Sequence, residues 1–183
     1  MTSLRAAEAI SDMHPAVTAP AAMLRLNTEL YLNCLAGVGE AEAARRVTPD
    51  TNSMAFVAAH LVDGRHFLTE YLGAPLPNPL AQQLQGAKRE DDLAALPAVT
   101  ELLATWEAVS AHLAVTVERL DTGQLSMERR PFPGSDRTIL GGIAFLTQHE
   151  SFHIGQLALI RRQLGLPEMS YELRPREPGR RGA

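Results

Sequence analysis

Apolar residues recur along this chain at helical spacing in four stretches, and nowhere do they alternate with polar residues over any length. The first stretch runs from about Ala21 to Leu35, with Met23, Leu24, Leu30 and Leu35 on one side, and stops at Gly37-Val38-Gly39. The second starts near Thr51 or Ser53 and continues to Leu72. Gly73 follows as a C-cap, and prolines stand at 75, 77 and 79. The third begins near Pro97, a fitting first-turn proline, and carries Leu102, Leu103, Trp106, Val109, Leu113, Val117 and Leu120 before Asp121-Thr122-Gly123. The fourth spans about Arg137 to Leu164, with Gly165 as its C-cap and Pro167 just beyond.

Four amphipathic helices in one domain-sized chain predict an all-α protein, a four-helix bundle. The boundaries are an N-terminal extension over 1–19, a bundle over 20–168 and a polar C-terminal tail over 169–183. Residues 3–13 are expected as a short helix ended by His14-Pro15. The Arg- and Pro-rich tail is expected to be loose. The link between the first two helices is short. The next contains Gln82-Gln83-Leu84-Gln85-Gly86 and a charged run, with room for a short extra helix. The last, Arg129 to Asp136, reads as an irregular loop of the kind that often covers a site.

Composition narrows the class. With 183 residues, 45% hydrophobic and 21% charged, the chain has enough apolar material for one full core. A net charge of −4 argues against a nucleic-acid partner, which selects a basic face. No apolar run approaches a membrane span, and the N-terminus lacks the pattern of a signal peptide. A single cysteine, Cys34, forms no internal disulfide, and together these features predict a soluble cytoplasmic protein. Cys34 reads as a small core residue, with a reactive thiol as the alternative.

The candidate chemistry lies in the histidines. His149 and His153 stand four apart in the fourth helix, so their rings point the same way. They share that face with Leu146, Leu157, Ile160 and Leu164, and polar side chains on a core face need partners. His60 lies with Phe56, Gly64 and Phe67 on the side of the second helix expected to look inward. Three inward histidines on two helices make a candidate metal site. Three ligands leave coordination positions open, as in catalytic centres, and imidazole suits Zn, Ni, Cu or Fe. The competing reading is that all three are ordinary core histidines, hydrogen-bonded to carbonyls or carboxylates.

The remaining polar residues are weaker candidates. His66 is turned away from His60 and reads as surface or rim. His112 reads as a rim or bundle-edge hydrogen bonder, and His14 as exposed. Asp63 is a candidate to orient His60 from the second shell, against a solvated surface acid. Glu150 is expected to face solvent. Gln156 is a candidate substrate contact. Arg129 and Arg130 could meet an anionic substrate or simply be solvated.

Met54-Ala-Phe-Val-Ala-Ala-His-Leu61, Thr138-Ile-Leu-Gly-Gly-Ile-Ala-Phe-Leu-Thr-Gln-His149 and the run His149-Glu-Ser-Phe-His-Ile-Gly-Gln-Leu157, followed by Arg161-Arg-Gln-Leu-Gly165, resemble the DinB/YfiT-like superfamily of four-helix-bundle metalloproteins. The resemblance covers roughly residues 20–168. It implies a metal triad of His60, His149 and His153 and a divalent ion, Zn or Ni foremost. It also implies a homodimer and a small-molecule substrate. Relatives of this kind include bacillithiol- and mycothiol-dependent transferases, so a low-molecular-weight thiol is an implied co-substrate. The expected function is a metal-dependent transferase or hydrolase in which the ion activates a thiol or a water. The alternative is a non-catalytic, metal-stabilised binding or dimerisation module.

Overall fold

A computed structural model describes residues 13–172, and among them the regular structure is helical, with one isolated bridge between Glu128 and Thr138. The four long helices are α1 (Thr18–Leu35), α3 (Met54–Tyr71), α5 (Val99–Glu118) and α7 (Ile139–Gln163). The short α2 (Glu40–Ala44), α4 (Ala81–Leu84) and α6 (Thr122–Ser126) lie in the links. The bundle is therefore the predicted one. The short helix expected in the second link is present. Those at 40–44 and 122–126 were not expected, and Asp121 opens the latter with a capping box to Gln124 instead of ending the third helix. The helix expected over residues 3–13 and the loose tail lie outside the described residues, apart from Met13, which is buried, and the segment up to Glu172.

Local chemistry explains where the long helices begin and end. Ser53 accepts from the Phe56 N–H at 3.3 Å to open α3, and Thr138 accepts from the Gly141 N–H at 3.1 Å to open α7. Gly73 and Gly165 close α3 and α7 with φ of +80° and +79°, a conformation that L side chains adopt only with strain. The first turn of α5 has no side-chain cap of its own. Glu40, from α2, accepts the Val99 N–H instead.

Around the bundle the order is α1, α7, α3, α5, each packed on the next. Helices α1 and α7 run one way and α3 and α5 the other. Because α3 and α5 are parallel neighbours, the chain must return the length of the bundle between them. The long link from Gly73 to Ala98 does so. His66 and His112 hold it down through Leu76 O at 3.0 Å and Ala74 O at 2.8 Å. His66 is thus a buried residue, 6% exposed, and not the surface or rim residue expected from its angle to His60; the returning link covers it. His112 is the hydrogen bonder expected. His14 accepts from the Ala16 N–H and is half-buried.

The apolar core is in two parts. One gathers Leu30, Leu35, Leu61, Leu102, Trp106 and Leu157; the other gathers Leu24, Leu68, Leu113, Ile143 and Leu146. A layer of buried polar residues crosses the bundle between them: Asn27 from α1, Arg65 from α3, Ser110 from α5, and Thr147 and Glu150 from α7. Cys34 lies in the first part, fully buried, and burial pushes its thiol up to about 12, as suits a core residue and not a nucleophile. Among the described residues no helix is long and apolar enough to cross a membrane.

Candidate metal centre

Helix α3 carries His60 and α7 carries His149 and His153 on faces that meet. The ligating atoms of the three lie within 4.8 Å of one another, and no carboxylate or thiol of the described residues joins that group. His60 Nε2 and His149 Nε2 face each other at 3.0 Å. The His60 ring meets those of His149 and His153 edge-on, with centroids 5.2 and 4.6 Å away. Two nitrogens sharing one ion at about 2.0–2.1 Å stand roughly 2.8–3.4 Å apart, from right-angle to tetrahedral geometry. The closest pair meets that requirement.

The electrostatics agree with this geometry. Burial, and then the neighbouring His153 and His149, push the His60 imidazole down to about 4. Burial and His153 also lower His149, against a small opposing pull from Glu150. Both rings are therefore neutral near pH 7, the state in which imidazole binds a metal. His153 Nδ1 donates to Gln156 Oε1 at 2.6 Å, which places its proton on Nδ1 and leaves the Nε2 lone pair for a ligand. Gln156, expected as a substrate contact, is thus engaged with a candidate ligand. Asp63 does not join the three histidines; it is exposed and accepts from Asn78 Nδ2 at 3.0 Å.

Glu150 departs from expectation. It is 5% exposed and forms a bidentate pair with Arg65, Nε to Oε1 at 2.8 Å and Nη2 to Oε2 at 2.7 Å. One residue along a helix turns the side chain about 100°, which takes it off the histidine face. Here that turn leads into the bundle interior, where Arg65 waits. Residues 149–153 also read His-Glu-x-x-His, the spacing at which zinc peptidases carry two ligands and a glutamate base. Because its carboxylate is held by Arg65, Glu150 is not placed to serve as that base. Arg65 was not singled out in the sequence. Its only local signal is a charge within an apolar run, Phe56 to Leu68, that should face inward.

An aromatic series leads from the surface to the centre. Phe67, which is 45% exposed, meets Tyr71 and Phe132; Phe132 stacks on Phe145 at 4.8 Å, and Phe145 lies parallel to His149 at 6.1 Å. Phe132 anchors the loop between α6 and α7. Beside it a cleft of ≈ 330 Å³ is lined by Pro133, Gly134, Ser135 and Asp136 from the loop and by Gly141, Ala144, Phe145 and Gln148 from α7. Arg129 and Arg130 of the same loop are exposed.

The arrangement is a helical bundle with a three-histidine group that could bind a metal between two of its helices. The profile of the DinB superfamily matches residues 23–157, and the chain belongs to that superfamily. A crystal structure described as a conserved protein of locus from Enterococcus faecalis has a similar fold, with a TM-score of 0.63 at 18% identity over 81% of this chain and 96% of the other. No curated protein matches the chain.

Proposed function

We propose that the protein is a metal-dependent enzyme of the thiol-transferase class, with His60, His149 and His153 as ligands of a divalent ion, zinc or nickel. The observation that carries this reading is the incomplete ligand set: three imidazoles converge, and no carboxylate or thiol of the described residues joins them as a fourth ligand. Such an ion, when bound, lowers the pKa of a thiol or water and so supplies a nucleophile near neutral pH. A low-molecular-weight thiol is favoured over water by the engagement of Glu150 with Arg65, which removes the carboxylate adjacent to His149 in the chain as an acceptor for a proton from water. A thiol, far more acidic than water, needs less help. Gln156 holds the tautomer of His153, and Phe145 with the adjoining cleft offers an apolar wall for a small-molecule electrophile. In this reading the protein works as a cytoplasmic homodimer.

Metal analysis of the purified protein, followed by thiol consumption assays with an electrophile such as a chlorodinitrobenzene, tests the reading. Stoichiometric zinc or nickel and metal-dependent thiol consumption are expected, both absent from His149→Ala. A His149→Ala protein that retains stoichiometric metal would overturn the ligand assignment. Complete unfolding on chelation would favour a metal-stabilised module over an enzyme.

A further inference from the structure

The distance between His149 and His153 is set within one helix. The distance from either to His60 depends on how α3 and α7 sit against each other, both in sliding and in rotation. Apolar packing limits both motions to a small set of ridge-in-groove arrangements. A directional contact between the same two helices is needed to hold one register.

We propose that Arg65 and Glu150 are positioning residues for the histidine triad, locking α3 and α7 in the register at which His60 meets His149 and His153. The proposal rests on the triad holding a divalent ion. Its first support is proximity. Glu150 is the residue next to His149, and Arg65 lies five residues past His60, about 7.5 Å along α3. The triad and the pair therefore grip the same turn of α7 from two sides. The second support is geometry. A guanidinium fork on a carboxylate has one favourable arrangement, and both of its bonds here are short and buried.

The third support is how firmly the fork itself is held. Arg65 Nη1 donates to Thr28 Oγ1 at 2.8 Å on α1 and to Ser110 Oγ at 2.5 Å on α5, and Nη2 also donates to Leu24 O at 3.2 Å. Its Cζ lies 3.6 Å from the centroid of Trp106, which stacks on Tyr31. One side chain thus touches all three other long helices. Asn27 Nδ2 donates to Glu150 Oε2 at 3.1 Å and to Ser151 Oγ at 3.0 Å, so α1 also fixes the residues lying between the two histidines of α7.

The test compares wild type with Arg65→Met/Glu150→Leu, which replaces the pair by apolar groups of similar size and need not destabilise the fold. Zinc affinity is read by competition with a chromophoric chelator, cobalt(II) coordination by its visible absorption, and stability by apo-protein melting. We expect a folded double variant with zinc affinity lowered about 10–100-fold and an altered cobalt spectrum. Should that variant not fold, Arg65→Lys carries the test. Lysine keeps the charge without the fork, and a folded Arg65→Lys protein should show the same direction of change. A folded variant of either kind with wild-type affinity and spectrum would overturn the proposal and leave the pair a stabilising contact only. Failure of the metal reading itself would show separately, as wild-type protein that takes up no zinc or cobalt.

Discussion

The Arg65–Glu150 pair and the histidine triad both join α3 to α7, within a turn of each other on α7, and differ in what completes them. The pair is closed. Its charges cancel, acceptors on α1 and α5 and the Asn27 amide complete the network, and both side chains are buried. The triad is open. Its rings are half-buried, His60 Nε2 and His149 Nε2 approach to 3.0 Å with no carboxylate or thiol of the described residues to complete the group, and burial holds both rings neutral. A closed polar cluster stabilises only what the chain itself provides, whereas an open one gains most from a cation brought from outside. The same interface therefore contains a closed polar layer and a three-histidine group that could bind a metal, and the difference lies in what completes each.

The comparison can be broken by experiment. The largest effect is expected from Glu150→Ala, which strands the Arg65 charge in the interior. Stability in urea should fall by about 3–5 kcal/mol. A loss under 1 kcal/mol would mean the layer is wetter than its burial implies. Next, zinc added at about 100 times its Kd should raise the unfolding free energy by about 2.7 kcal/mol through the triad, measured as a shift in the melting curve. The third effect is acid destabilisation of the metal-free protein. His60 titrates near 4 in the fold and near its ordinary 6.5 when unfolded, so between those values the unfolded chain binds more protons. Stability should be flat above pH 6.5 and fall as pH drops from 6.5 toward 4, by roughly 1–3 kcal/mol. His60→Gln should reduce that slope to the smaller part contributed by His149, which burial also lowers.

Smaller effects sharpen the contrast further. Gln156→Leu frees the His153 ring to change tautomer, and zinc binding should weaken about tenfold, or about 1.4 kcal/mol, in a competition titration. The smallest change is predicted for His149→Ala in the metal-free protein. It removes a half-buried ring whose Nε2 meets His60 Nε2, so its melting should match wild type to within about 1 kcal/mol even though stoichiometric zinc is lost. Parity between Glu150→Ala and His149→Ala in stability would erase the distinction between closed and open clusters.

Much of this architecture is legible along the chain because it is local. Helical periodicity, the caps at Ser53, Gly73 and Gly165, and the shared face of His149 and His153 each depend on residues a few positions apart. His60 was legible as an inward residue, though not its 3.0 Å approach to His149, 89 positions away. Phe67 shows the limit from the other side: placed with His60 on the inward face, it ends 45% exposed while its neighbours His66 and Leu68 are buried. Its ring meets Tyr71 one turn on along α3 and, from the last loop, Phe132.

The sequence by itself determined that four helices form, roughly where each starts and stops, and which three imidazoles face inward, since hydrophobic periodicity and capping act over single turns. Tertiary structure alone decided that Glu150 turns from solvent to Arg65, that His66 is buried under the returning link, and that the long connection makes α3 and α5 parallel. Those outcomes depend on which helix lies beside which. A side chain one position from a ligand can point to water or to a buried cation, and only the neighbouring helix settles the choice.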